Sequence, residues 1–155
     1  MAKQIIKGLT MLLLVVALSL VTAVATANGQ ASKRQIANIP FTFVVGDKEM
    51  SAGRYSVQPA TSTGETLRIS GTENGAGMFR LSSLLQSSKP ADKGKLVFHR
   101  YGNQYFLAEV WTAGEREGRQ LLKSRGEKAI ERESTAARSR NEQSYERVEI
   151  ALVRQ

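Results

Sequence analysis

Cysteine is absent from all 155 residues. That excludes disulfides, thiolate metal sites and a lipid anchor built on a processed cysteine. Histidine is nearly as scarce, with His99 the only one, and aspartate is confined to Asp47 and Asp92. Metal binding would then fall to glutamates, most of which interleave with arginines. Neither a calcium-loop pattern nor H-E-x-x-H is present. No metal and no cofactor is expected. Also missing are a G-x-S-x-G elbow and an S-x-x-K pair, two patterns that position a nucleophilic serine. "GTENGAG" (Gly71 to Gly77) lacks the Lys-Ser/Thr ending of a phosphate loop and reads as a hairpin connection.

One long apolar run is present, and it lies at the start. Lys3 and Lys7 precede an apolar stretch from Leu9 to Val24, and Ala25-Thr26-Ala27 follows as a small-x-small site. This is the pattern of an export signal cleaved before Asn28. The run is shorter than the ~20 residues that cross a bilayer comfortably, so residues 1–27 are expected to be a signal peptide rather than an anchor. After cleavage no transmembrane segment remains, and the protein is expected in the periplasm or outside the cell. Residues 28–155 are expected to form a single β-rich domain, with a formal charge of about +6 once Lys3 and Lys7 are removed from the total of +8.

Helical stretches between strands, the signature of βαβ units, are lacking in the first two-thirds of that domain. Short alternating segments stand there instead. "IANIPFTFVVG" places Ile39, Phe41, Phe43 and Val45 on one face, a period-2 pattern, with Pro40 marking an edge or strand start. "GDKEMSAG" reads as a turn. "RYSVQPA", "ETLRIS" and "MFRLSSLL" continue as strands. Two more belong to the hairpin "KLVFHRYGNQYFLAEVW", and "RVEIALV" reads as the last, with a helix through Tyr145, Val148 and Leu152 as the alternative. The fold class is therefore mainly β: an antiparallel sandwich or partly open barrel of six to seven strands, with one helix in the C-terminal half. That helix is expected over residues 125–138, opened by a Ser124–Glu127 capping box and carrying a thin apolar stripe of Ala129, Ile130, Ala136 and Ala137. Leu121 and Leu122 would anchor it to the core, and residues 134–144 are expected to form a flexible loop.

The hairpin concentrates the rare residues: the one histidine, the one tryptophan, two of four tyrosines and two of five phenylalanines. Gly102-Asn103 suits a two-residue hairpin turn. Tyr101 then faces Gln104, Arg100 faces Tyr105, His99 faces Phe106 and Phe98 faces Leu107. Continued without a break, this register puts Leu96, Phe98, Arg100, Tyr105, Leu107, Glu109 and Trp111 on one face. Val97, His99, Tyr101, Gln104, Phe106, Ala108 and Val110 take the other. Both faces are largely apolar, so the pair should be covered on both sides.

His99 is the one acid–base candidate. Nucleophilic catalysis would need a hydroxyl and an orienting group beside it, and this register turns Glu109 to the opposite face. No catalytic residue is assigned. Arg100, Tyr101 and Tyr105 at the hairpin tip are the candidate binding residues. The leading functional expectation is a non-enzymatic, exported binding or envelope-associated module with an envelope or extracellular partner. Two alternatives are a small hydrolase using His99 and a binder of polyanions or membrane surfaces through Arg116–Arg140. The latter's ligand would be anionic lipid or polysaccharide. Nucleic acid is disfavoured, because the aromatics that would stack on bases alternate within strands.

Two blocks, "IPFTFVVGDKEMSAGRYSV" and "LVFHRYGNQYFLAEVWTAGEREGRQLLKSRGE", resemble a group of small exported bacterial proteins. These pair a PFxFxVG…AGxY element with an FHRYGxxYFLxxVW hairpin. The resemblance implies export. It brings no reaction, ligand or site residue with it.

Overall fold

Strict alternation of apolar and polar side chains leaves the chain little choice but strands with one face turned inward. The structure, a computed structural model, describes residues 34–73, 75, 77–137 and 144–154. The expected signal peptide, residues 1–27, lies outside the described residues. Among the described residues eleven strands and one helix follow in order: β1 Gln35–Ile39, β2 Phe43–Val45, β3 Lys48–Met50, β4 Gly53–Pro59, β5 Thr66–Gly71, β6 Gly77–Gln86, β7 Lys95–Tyr101, β8 Gln104–Trp111, β9 Glu117–Leu121, α1 Arg125–Ala137, β10 Glu146–Ala151 and β11 Val153–Arg154.

The fold is mainly β, as its patterning predicts, and four strands exceed the expected seven. Two arise by splitting. Pro40 has no N–H for a ladder, and the single strand expected across it breaks there into β1, which pairs with β4, and β2, which pairs with β3 and β8. The last strand also divides, at Leu152, whose N–H leaves the ladder to bond the Gly94 carbonyl. The third is β3, inside the expected turn "GDKEMSAG", where Gly46 takes a positive φ of 65° and lets β2 fold back on itself. The fourth is β9, between the hairpin and the expected helix, where no strand is expected.

The ladder runs β10-β7-β8-β9-β6-β5-β4-β1-β11. Every pairing is antiparallel except the parallel contact of Val44 with Phe106 between β2 and β8. β6 turns the corner: residues 77–81 pair with β5, whereas Ser82–Gln86 pair with β9. The two ends of the path, β10 and β11, are consecutive in the chain. β10 pairs with β7 and β11 with β1, so one C-terminal segment bridges both edges and the sheet curls into a partly open barrel. Leu152 pins the crossover, its N–H donating to the Gly94 carbonyl at 2.8 Å. A Cβ on Gly94 would come within 3.2 Å of Leu152.

Inside lie Ile39, Phe43, Val45, Tyr55, Val57, Ile69, Leu96 and Phe98, all essentially without solvent contact. Phe43 stands edge-on to both Tyr55 (5.0 Å, 85°) and Phe98 (5.5 Å, 81°), an arrangement that places ring edges against ring faces. The Tyr55 hydroxyl donates to the Ser51 carbonyl at 2.7 Å, so this buried phenol is satisfied.

α1 packs on the outside of β7. Ser124 caps it, accepting from the Glu127 N–H at 3.1 Å. The buried or half-buried side of α1 is Glu127, Ile130, Glu131 and Ser134, while Ala129 and Ala136 face solvent. Of the expected apolar stripe, Ile130 joins the docking face and Ala129 and Ala136 do not; the helix is held mainly by polar groups. Residues 134–137, expected to open a flexible loop, are its last turn. Leu121 is buried as expected, but Leu122 is 55% exposed. Among the described residues no helix is long and apolar enough to cross a membrane.

Candidate functional site

The β7–β8 hairpin keeps the expected pairing at its tip. Tyr101 faces Gln104, Arg100 faces Tyr105, His99 faces Phe106 and Phe98 faces Leu107. Gly102 carries the positive φ, 59°, and Asn103 does not, as in a II′ turn. Further from the tip a bulge intervenes: Val97 pairs with Glu109, leaving Ala108 as the extra residue. A bulge reverses the facing of everything beyond it on one strand. Val110 thus turns inward beside Leu96, and Glu109 and Trp111 turn outward to the face of Val97 and His99. The expected separation of Glu109 from His99 onto opposite faces does not hold.

Glu109 nevertheless serves other partners. Its carboxylate accepts from Trp111 Nε1 at 2.6 Å and from both Arg147 amino groups, at 3.0 and 2.8 Å. Arg147 sits opposite His99 on β10, and its forked contact fixes β10 against the hairpin. Next along, Glu149 meets Lys95 at 2.8 Å. The hydrogen bond from Lys95, aided by its charge and by Arg147, holds Glu149 below the usual carboxylate range against a smaller opposing effect of burial.

The orienting partner of His99 is Glu127, three residues into the S-x-x-E motif. His99 Nδ1 and Glu127 Oε1 are 3.0 Å apart, and both side chains are nearly sealed, 3% and 5% exposed. Tyr145 stacks on the imidazole with ring centroids 3.8 Å apart. The capping-box spacing had reserved Glu127 for the Ser124 amide; the bulk of α1 over β7 redirects it to the imidazole. A buried histidine beside a carboxylate has the layout of a catalytic dyad, but no described serine or threonine hydroxyl is bonded to it.

The three candidate binding residues do not form one surface. Arg100 is half-exposed; it reaches Glu146 (3.0 Å) and the Gly102 carbonyl (2.8 Å) and lies 5.5 Å over the Tyr105 ring. Tyr105 in turn stacks on Phe41 at 3.9 Å. Tyr101 faces the other way and is buried, its hydroxyl without a partner among the described residues. Burial first, then the carboxylates of Glu127 and Glu131 and the neighbouring Tyr145, push that phenol well above its ordinary range.

Concave surfaces lie elsewhere. At one barrel mouth a cleft of about 230 Å³ has a floor of Val57, Leu67 and Val110. Its rim is tied by Gln35 donating to Thr112 (3.0 Å) and Arg119 to the Thr63 carbonyl (2.7 Å). A second, of about 520 Å³, opens beside the start of α1. Among the described residues no group of three or more His, Cys, Asp or Glu could hold a metal ion. Compared with known proteins, the chain matches no family model, no curated protein and no solved structure.

Proposed function

We propose that this chain is a non-enzymatic, exported binding module associated with the bacterial envelope. The observation that carries the reading is the use made of His99. The one imidazole in the chain is spent on docking α1 to the barrel, through Glu127 and beneath Tyr145. An acid–base role needs a group in reach of substrate, and this one is covered on its open side. The leader at residues 1–27 supports export, and the clefts at the barrel mouth and beside α1 supply concave surface for a partner.

Two measurements test this. In bacterial fractionation the protein should be recovered from the envelope or medium, shortened at Ala27; recovery at full length in the cytosol would refute export. Against chromogenic esters, amides, glycosides and phosphoesters, the purified protein should show no turnover. A turnover abolished by His99→Gln, in a variant that still folds, would establish the hydrolase instead.

A further inference from the structure

The cleft beside α1 has the most one-sided positive lining of the concavities among the described residues. Arg80 from β6, Lys123, Arg125 and Lys128 line it, against the single acid Asp47 from the β2–β3 turn. Lys123 is engaged by Glu131. Arg125 and Lys128 are exposed and form no ion pair among the described residues. Arg80 is held in place by geometry: its Nη2 donates to the Leu122 carbonyl at 3.2 Å, and its guanidinium lies flat where a Cβ on Gly46 would be 2.5 Å away. Its Nε is buried without a hydrogen-bond partner.

An apolar ridge adjoins these charges. Leu122, at 55% exposure, is itself part of the cleft wall. Ser82 pairs with Leu121 at the end of the β6–β9 ladder; Leu121 is buried, and the next residue on each strand, Leu81 and Leu122, is exposed. Phe79 follows two residues from Leu81 on that face. Leu81 and Phe79 are 60% and 63% exposed. Arg68, opposite Phe79 in the ladder, holds its guanidinium 6.0 Å from the ring. Exposed apolar side chains rimmed by cations match the surface of an anionic bilayer, where headgroups meet acyl chains.

We propose that this face docks the protein on an anionic lipid bilayer, with Phe79, Leu81 and Leu122 entering the headgroup layer and Arg125 and Lys128 meeting lipid phosphates. The proposal deepens the envelope-binding reading and relocates its charge. Within the described part of the Arg116–Arg140 segment the charges are divided, Arg119 turning to the Thr63 carbonyl and Lys123 to Glu131; Arg138 and Arg140 lie outside the described residues.

The test is co-sedimentation of the purified protein with vesicles of phosphatidylglycerol and phosphatidylcholine, and with phosphatidylcholine alone. Binding should require the anionic lipid and weaken with salt. Arg125→Gln with Lys128→Gln should weaken it by about fivefold per charge, the equivalent of about 1 kcal/mol per basic residue at such a surface. Phe79→Ser with Leu81→Ser should weaken it by a similar or larger factor. Lys89→Gln with Lys93→Gln removes the same charge from an exposed loop off the cleft and should leave binding within twofold. An equal loss in that control would reduce the effect to net charge and overturn the proposal. So would unchanged binding in the Phe79/Leu81 variant, which would leave an anion site only. Recovery from the envelope fraction with no affinity for anionic vesicles would sink the docking face and spare the envelope reading. All three variants alter exposed side chains, and unchanged urea midpoints would show that each is folded.

Discussion

Replacing Glu127 with alanine isolates how α1 is held. The Ser124 cap uses the backbone N–H of residue 127 and survives the change. What is lost is the carboxylate 3.0 Å from His99 Nδ1. Because the imidazole is only 3% exposed, water cannot replace that partner. Leaving a buried polar group unsatisfied costs about 1–3 kcal/mol, and Glu127→Ala should lose that much in urea unfolding followed by Trp111 fluorescence and far-ultraviolet circular dichroism. Glu127→Gln retains a hydrogen-bonding group and should lose less. The pair His99→Phe with Glu127→Leu removes both polar groups together and should lie closer to wild type than the sum of the single changes, a coupling readable from the cycle. A Glu127→Ala cost under about 0.5 kcal/mol, within the range of ordinary surface substitutions, would refute the reasoning. Strict additivity in the cycle would refute it equally, since α1 would then be held by something other than this pair.

Three further outcomes follow from packing and charge. A Cβ on Gly118 would lie 2.7 Å from the Trp111 ring, so Gly118→Ala should cost roughly 1–3 kcal/mol by overpacking and shift the emission of the one tryptophan; an unchanged spectrum and midpoint would contradict it. Phe98, fully buried between Phe41 and Phe43, should cost about 3–5 kcal/mol on truncation to alanine, measured by the same denaturation. Glu149 is held below its ordinary value of 4.5, chiefly by the hydrogen bond from Lys95. Its contribution is therefore present above that pH and lost as the pH falls through the lower folded value. The pair is about half exposed, so Glu149→Gln should cost under about 1 kcal/mol at neutral pH and nothing in acid; a pH-independent difference would rule this out.

Much of the fold was legible in the sequence because period-2 alternation encodes which face is buried. The hairpin tip register, the inward facing of Ile39, Phe43 and Val45, and the cap at Ser124 all follow from local pattern. The errors share one cause, which is that pairing partners are not local. β9 was hidden because "EGRQL" has the composition of a helix; what makes it a strand is an open edge on β8 and a glycine that tucks under Trp111. The bulge at Ala108 leaves no mark in the alternation, yet it moves Glu109 to the face of His99. Glu127 was visible as part of a capping box, but only the docking of α1 reveals that it serves an imidazole 28 residues earlier. Arg80 and Leu122, which shape the cationic cleft, stood in stretches read as ordinary strand and helix anchor.

The segment from Glu146 to Arg154 has a consequence for the timing of folding. It pairs with β7 through one half and with β1 through the other, so the contact of Gln35 with Arg154 spans nearly all of the described chain. Contacts of that range are slow to form, because the entropy of ring closure opposes them until everything between is in place. During that interval β1 and β7 stand as raw edges with unpaired backbone groups, the state most open to pairing with another molecule. The last residues thus finish folding rather than start it, and the time they take sets how long the protein remains adhesive.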